Sequence, residues 1–237
     1  MPQNDRDDHV SSIGISTPRA RSVALVIGVA AVAAFIALRS FVAAGGHEPL
    51  ALDIWWHDLM LSSVSDVGLV IAWVPAVVGG TVGMIIVGAA VVSLLLWRGR
   101  RRDAVTFAVA LIAVVAVGAT MAAVIGRTRP SDSLAERMAT SFPSGHTAVA
   151  TTMAVILGLL IRRWYVWALG VTWAITMMWS RTYLQAHWLS DVVAGMLEGI
   201  AVAALVWIAA EAWRDRHAVL AVPDSPLEST DEESTNP

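Results

Sequence analysis

The stretch AVTFAVALIAVVAVGATMAAVI at residues 104–125 holds 22 residues without a charged side chain. About 20 apolar residues in an α-helix span the roughly 30 Å hydrocarbon core of a bilayer, so this stretch predicts a transmembrane helix. Five other predominantly apolar stretches lie at residues 22–44, 67–97, 144–161, 164–180 and 192–210. Because none alternates apolar and polar residues with a period of two, a transmembrane barrel is disfavoured. The sequence therefore predicts an all-α, polytopic membrane bundle of about six transmembrane helices.

The composition agrees with a membrane protein. Hydrophobic residues make up 57% of the 237 residues and charged residues 15%, whereas soluble domains carry roughly 25% charged residues. All 16 basic residues are arginine, and the absence of cysteine excludes disulfides, thiolate metal sites and cysteine nucleophiles. The net charge is −3, and the last 14 residues hold five acids and no base, so no nucleic-acid partner is expected.

Changes in composition along the chain predict its organisation. Residues 1–21 form an N-terminal tail, residues 22–213 the membrane domain, and residues 214–237 a disordered acidic tail. Within the membrane domain, the tryptophan-containing residues 47–66 predict a short amphipathic helix at the extracytoplasmic interface. Residues 122–191 hold the motifs described below.

The apolar stretch at residues 67–97 is longer than a single vertical crossing requires. It contains Pro75 and the pair Gly79-Gly80, which interrupt or bend helices. A kink or break is therefore predicted inside this stretch.

The arginines predict the orientation of the chain. With the N-terminus in the cytoplasm, 11 of the 16 arginines fall on the cytoplasmic side, as the positive-inside rule requires. This arrangement predicts a multi-pass protein of the cell (plasma or inner) membrane with both termini in the cytoplasm. Arg127, Arg129 and Arg181 lie on the opposite, extracytoplasmic side, which suggests that they have a function there.

Three short motifs fall at the outer ends of the last four predicted spans. They are Arg127-Thr128-Arg129-Pro130, Pro143-Ser144-Gly145-His146, and Ser180-Arg181 followed by His187 and Asp191. Guanidinium groups match phosphate oxygens bidentately. Free N–H groups at Ser144, Gly145 and His146, at the N-terminus of a predicted helix, would point at an anion. Gly145 leaves room for the close approach of a ligand. The three motifs together predict a phosphate-binding site at one membrane face.

Two histidines in this set allow a division of labour in phosphoryl transfer. His187 is the better candidate for the nucleophile, because Asp191 follows four residues later and can orient its imidazole ring on a helix. His146, next to the anion-binding Gly145, is then the candidate general acid.

At these positions the chain resembles the type 2 phosphatidic acid phosphatase superfamily, whose pattern is K-x6-R-P, P-S-G-H and S-R-x5-H-x3-D. The second and third parts match in full, and the first matches at Arg129 and Pro130, with Ala122 at the lysine position. The resemblance implies a membrane helical bundle without metal or other cofactor. It implies the following roles: phosphate binding by Arg129, Ser144, Gly145 and Arg181, acid catalysis by His146, phosphorylation of His187, and orientation by Asp191. Arg127 is a further phosphate-binding candidate that could replace the missing lysine charge.

Two other groups of polar residues have weaker assignments. Glu198 lies seven residues after Asp191 inside a predicted span, and we consider proton supply or headgroup contact as its role beside a purely structural one. His47, Asp53, His57 and Asp58 fit no metal-binding spacing, so a solvated interfacial face is expected for them.

The sequence therefore predicts an integral membrane lipid-phosphate phosphatase that works through a phosphohistidine. The expected substrate is a phosphomonoester or diphosphate of a membrane lipid: a polyprenyl diphosphate, phosphatidate or phosphatidylglycerol phosphate. Two alternatives stay open, a lipid phosphotransferase that uses the same histidine and a weakly active protein that binds or flips lipid phosphates. The bilayer and the lipid substrate are the expected partners.

Overall fold

A computed structural model describes residues 17–135 and 140–220. These ranges contain eight α-helices and no strand beyond an isolated bridge between Thr128 and Thr140. The helices are α1 (Pro18–Ala44), α2 (Ala51–Ser62), α3 (Asp66–Val78), α4 (Thr81–Trp97), α5 (Arg101–Ile125), α6 (Gly145–Ile161), α7 (Trp164–Tyr183) and α8 (Leu189–Leu220). The all-α fold predicted from the sequence is confirmed.

Helices α5 to α8 follow one another in alternating directions, and α1 packs against α8. The end at which α5 and α7 finish and α6 and α8 begin is called the site end below. Close contact between α6 and α8 depends on small residues: a Cβ atom on Gly195 would lie 2.5 Å from the Ser144 carbonyl oxygen, and one on Gly199 2.6 Å from the Ala148 carbonyl oxygen. Such small residues let helices in membranes approach closely.

Among the described residues, three helical segments are long and apolar enough to span a membrane: Pro18–Ala44, Arg101–Ile125 and Leu189–His217. The bent pair α3–α4 makes a fourth if it counts as one span. Helix α6 is apolar but has 17 residues, and α7 contains four tryptophans and Arg181. Length and composition therefore support three or four spans, and the predicted count of about six is not confirmed.

The break predicted within residues 67–97 is present. Helices α3 and α4 meet at an angle of 54° across Gly79-Gly80. A Cβ atom on Gly79 would collide with the Met177 methyl group and lie 2.8 Å from the Pro75 carbonyl oxygen. Glycine at this position therefore permits both the bend and the contact with α7.

Both terminal helices are longer than predicted. Residues 18–21 belong to α1, and residues 214–220 belong to α8 rather than to a disordered tail. Ion pairs between the ends of α1 and α8 stabilise this extension. The remaining parts of the two predicted tails, residues 1–16 and 221–237, lie outside the described residues.

Candidate active site

Backbone hydrogen bonds bring the three motifs together at the site end. The Ser141 N–H donates to the Arg127 carbonyl oxygen at 2.9 Å, beside the bridge between Thr128 and Thr140. The Ser144 N–H donates to the Asp191 carbonyl oxygen at 3.0 Å. The first bond joins the arginine motif to the segment that precedes α6, and the second joins the start of α6 to the start of α8.

His187 lies in the loop between α7 and α8 and is 4% exposed. Its Nδ1 atom is 2.8 Å from the Ser141 carbonyl oxygen. A carbonyl oxygen only accepts hydrogen bonds, so this contact assigns the proton to Nδ1. The Nε2 atom then carries a lone pair, which is the requirement for a nucleophile.

Asp191 stands behind His187 rather than in direct hydrogen-bond contact with it. Its Oδ2 atom is 3.7 Å from His187 Nδ1 and accepts the Trp188 N–H at 3.0 Å. The acceptor nearest to Nδ1 is therefore the Ser141 carbonyl oxygen, a backbone group that side-chain patterns in the sequence do not reveal. Asp191 acts on the imidazole through its charge.

Two arginines lie close to the imidazole ring. The Nη1 atom of Arg129 is 3.2 Å from His187 Nε2 and also donates to the Ala186 carbonyl oxygen. Arg181, at the end of α7, is 2% exposed, and its carbonyl oxygen accepts the N–H groups of Ala186 and His187. The charge of Arg129 thus lies beside the lone pair on Nε2, where a phosphate group would approach, and the charge of Arg181 acts on the same ring.

The surroundings of His187 favour its neutral form. Burial lowers the pKa of His187 below its ordinary value of 6.5, and the charges of Arg129 and Arg181 lower it further, while Asp191 opposes them. A neutral imidazole at physiological pH is the form that attacks phosphorus.

The start of α6 is only partly available to an anion. Ser144 is fully buried, its N–H bonds to Asp191 as described above, and its Oγ lies 3.2 Å from Thr147 Oγ1. The prediction of a free Ser144 N–H is therefore wrong. The Gly145 N–H has no acceptor in the described part of the chain. Apart from Gly145, its two neighbours and the backbone of its own helix, no described heavy atom lies within 4 Å of where a Gly145 Cβ would stand. His146 follows in the same first turn and is half-buried.

Arg127 does not lie in the predicted phosphate site. Its side chain is fully buried, and its five N–H groups all have acceptors. Nη1 donates to Asp191 Oδ1 at 2.6 Å and to Ser190 Oγ at 2.7 Å, and Nη2 donates to Asp53 Oδ2 at 2.7 Å. The remaining two N–H groups bond to the carbonyl oxygens of His47 and Glu48. No donor is left for a phosphate, so Arg127 supports Asp191 instead.

Asp53 of α2 is the member of this cluster that the sequence did not reveal. It is 1% exposed, so the expectation of a solvated position is wrong. Besides Arg127, it accepts the Ser190 N–H and the Ser190 hydroxyl, both at 2.7 Å, and the Leu50 N–H at 3.0 Å. The one sequence feature that marks Asp53 is its position in the first turn of α2, where acidic residues are common. The cluster Asp53–Arg127–Asp191 ties α2 to the start of α8.

A comparison with known families identifies the segment that carries these motifs. The model of the PAP2 superfamily matches residues 103–215. This segment, a little under half of the chain, is similar to the PAP2 superfamily. The resemblance inferred from the motifs is thereby confirmed.

Relatives of known name agree with this PAP2 assignment. An undecaprenyl-diphosphatase of Sulfolobus acidocaldarius is 33% identical over 113 residues, which are 45% of this chain and 54% of that protein. The chain thus spans about half the length of this curated relative.

Two solved structures share the fold. A transmembrane PAP2-type phosphatidylglycerolphosphate phosphatase from Bacillus subtilis has a TM-score of 0.65 at 19% identity, covering 80% of this chain and 96% of its own. LpxE of Aquifex aeolicus has a TM-score of 0.59 at 21% identity, covering 67% of this chain and 96% of its own. At these identities the similarity shows a common fold.

Ala122, at the position of the PAP2 lysine, lies on the side of α5 that faces Glu198 of α8. Ala122 is one turn from Gly118, and Gly118 faces Glu198 of α8, whose Oε1 would lie 3.3 Å from a Cβ on Gly118. Glu198 is 2% exposed, and neither of its carboxyl oxygens has a hydrogen-bond partner among the described residues. Glu198 thus lies in α8 two helical turns beyond Asp191, and its proton or headgroup role stays a prediction.

Proposed function

We propose that the protein is an integral membrane phosphatase that removes phosphate from membrane lipids through a phosphohistidine on His187. The observation that carries the proposal is the fixed orientation of this ring. Ser141 holds the proton on Nδ1, and the lone pair of Nε2 lies beside the guanidinium group of Arg129. A buried neutral imidazole that presents its lone pair to a cationic pocket suits attack on a phosphate group.

In the proposed first step, Nε2 of His187 forms a bond to phosphorus and the bond from phosphorus to the leaving lipid oxygen breaks. Arg129 and Arg181 stabilise the charge on the phosphoryl oxygens, together with the Gly145 N–H at the start of α6. His146 donates a proton to the leaving oxygen.

In the second step, water attacks phosphorus, and His146 accepts its proton while the P–N bond breaks. Asp191 stabilises the positive charge that His187 carries during both steps. Guanidinium groups neutralise the phosphate in this scheme, so we propose a metal-independent reaction.

A lipid substrate is supported by an apolar cleft next to the site. It has a volume of about 590 Å³ and lies between α7, α8 and Trp56 of α2. Leu189 and Val192, which line it, follow His187 closely in the chain. A lipid chain in this cleft would keep its phosphate near the imidazole. Together with the name of the Sulfolobus acidocaldarius relative, this favours a lipid monophosphate or diphosphate as substrate.

Phosphate release by the detergent-purified protein tests the proposal. The substrates are a polyprenyl diphosphate, phosphatidate and phosphatidylglycerol phosphate, each with and without an added acceptor lipid. We expect release from at least one, and its loss in His187→Ala but not in His217→Ala, a histidine exposed at the far end of α8. Activity that survives in His187→Ala contradicts the proposal. Transfer to the acceptor without release would identify a phosphotransferase.

A further inference from the structure

A cavity of about 900 Å³ lies at the end of the bundle opposite the site end. It is bounded by the starts of α5 and α7, the end of α6 and the last part of α8. Helix α6 joins the two ends, and its 17 residues correspond to a length of about 25 Å. The cavity is therefore separate from the candidate active site.

Positive charge dominates the wall of this cavity. Its one acid, Asp103, is already paired, because it accepts from Arg100 at 2.7 Å and from Arg214 at 3.0 Å. The other charged lining residues are Arg101, Arg102, Arg162 and Arg163. Within the described residues, none of these four is paired with an acid. All four are exposed, Arg102 lies over the Trp213 ring, and Arg162 donates to the Leu159 carbonyl oxygen. No carboxylate among the described residues neutralises their charges, so an anionic ligand can do so.

Two helix N-termini add to this positive potential. Helix α5 starts at Arg101 after the cap residue Arg100, and α7 starts at Trp164 after the cap residue Arg163. Neither cap side chain accepts a hydrogen bond from its helix. The first N–H groups of a helix attract anions, and arginine is an unfavourable residue beside them. An anion in the cavity would relieve this repulsion.

An unsatisfied donor in the cavity wall is an independent indication of a ligand. Trp207 of α8 lines the cavity and is 1% exposed. Its indole Nε1–H has no acceptor among the described residues. Buried donors are nearly always hydrogen-bonded. The Nε1 atom is closed to solvent, so a small rotation of the indole ring would bring this donor to an oxygen atom of a ligand in the cavity.

We propose that this cavity binds a phosphate-bearing anion, supplied either by the headgroup of an anionic phospholipid or by soluble phosphate. Guanidinium groups bind phosphate oxygens bidentately. Basic pockets between membrane helices are suited to anionic headgroups on the cytoplasmic side, where the arginine distribution predicts this end to be.

The absence of cysteine makes a site-specific test straightforward. Ile161→Cys places a single thiol at the cavity wall, and an environment-sensitive fluorophore on it reports occupancy. The labelled protein is titrated with inorganic phosphate, and separately reconstituted in nanodiscs of phosphatidylcholine with increasing phosphatidylglycerol. A label on Val64→Cys, exposed at the site end, serves as the reference. We expect the label at position 161 to respond to phosphatidylglycerol, to inorganic phosphate, or to both, which distinguishes the two sources.

Charge removal inside and outside the cavity separates a site from general attraction. The cavity triple variant combines Arg101→Gln, Arg162→Gln and Arg163→Gln. The control triple variant changes three exposed arginines at the same end that do not line the cavity and combines Arg19→Gln, Arg98→Gln and Arg216→Gln. Each arginine near an anionic group contributes about a fivefold factor in affinity, so the cavity variant should bind roughly 100-fold more weakly. The control variant should change affinity by less than about fivefold. Retained lipid phosphatase activity shows that both variants are folded, and Arg163→Gln alone, with about a fivefold loss, serves if the triple variant is not.

Three results would overturn the proposal. The first is a label at position 161 that responds to neither probe. The second is an equal loss of affinity in the two triple variants, which indicates non-specific attraction. The third is a response of the label to deletion of residues 221–237 without a response to phosphate or lipid, which would identify the acidic C-terminal segment as the occupant.

Discussion

Replacing Asp53 by asparagine tests whether the buried cluster around Arg127 positions the catalytic groups. The asparagine side chain has nearly the same shape, but one carboxylate oxygen becomes an NH₂ group that only donates. The least damaging orientation directs this group at the Ser190 N–H, so that two donors face each other at the present 2.7 Å contact. Arg127, which is fully buried, also loses one of its two carboxylate partners.

The size of the effect follows from these contacts. A buried donor left without an acceptor costs about 1–3 kcal/mol, and a hydrogen bond to a charged group is worth about 1.5–3 kcal/mol. We therefore expect Asp53→Asn to lower the free energy of unfolding by about 3 kcal/mol. Ser190 directly precedes Asp191, so its displacement also moves the carboxylate behind His187. Because a shift of about 1 Å in a catalytic group can cost roughly 100-fold, kcat should fall by about 10- to 100-fold.

Thermal unfolding and steady-state kinetics on the purified variants check this expectation. KM should change by less than about threefold, because Asp53 supports the catalytic groups without touching the lipid. Asp58→Asn, on the exposed face of the same helix, is the matched control and should behave like the parent protein. A lowered unfolding temperature with unchanged kcat would refute the positioning role. Unchanged values of both would refute the cluster itself.

Three further predictions concern the imidazole, the vacant lysine position and the intramembrane acid. Because burial lowers the pKa of His187, the unfolded chain binds more protons than the folded one below about pH 6.5, so the free energy of unfolding should decrease as the pH falls from there. In pH-dependent melting experiments, His187→Ala should lack this contribution. Ala122→Lys should raise kcat/KM by about 10-fold or more, because the donors of Arg127 are all engaged and cannot replace the lysine. The control Ala123→Lys, on the exposed side of α5, should leave kcat/KM unchanged, and equal kinetics for the two variants would contradict this prediction. Glu198→Leu should raise the free energy of unfolding by about 1–3 kcal/mol by removing unpaired buried oxygens, and unchanged turnover in that variant would exclude a proton or headgroup role.

The convergence of the motifs was predictable because it depends on local signals. Each motif lies at the end of an apolar stretch, and successive membrane helices alternate in direction, so the ends must meet. The break at Gly79-Gly80 was predictable for the same reason, since proline and glycine bend or interrupt a helix within one or two turns of their own position. The superfamily followed from motif spacing over residues 122–191.

The roles of the two arginines in the first motif were not predictable in the same way. Arg127 and Arg129 are two residues apart and chemically identical, yet one is buried against carboxylates and the other lies beside His187. The difference depends on Asp53, which is 74 residues before Arg127 in the chain. A contact of that range has no local pattern. The Ser141 carbonyl oxygen was missed for a related reason, because every residue carries a carbonyl group.

The number of spans shows the limit of counting apolar stretches. Helix α6, Gly145–Ile161, coincides with the predicted stretch 144–161 to within one residue, and its 17 residues are few for crossing a bilayer. The last turn of α7 contains Arg181. Both helices lie where the apolar stretches were predicted, but α6 is short and α7 contains four tryptophans and Arg181, so neither has the length and composition of a clear span.

A trapped phosphoenzyme is the most direct measure of whether His187 is the nucleophile. The protein is mixed with lipid carrying radiolabelled phosphate and quenched within one turnover, and the labelled peptide is located by mass spectrometry. We expect an acid-labile, base-stable phosphoryl group on His187 that forms and decays at rates consistent with kcat, and that is absent in His187→Ala. Rapid phosphate release without any labelled protein, or a label on another residue with turnover retained in His187→Ala, would contradict the proposed mechanism.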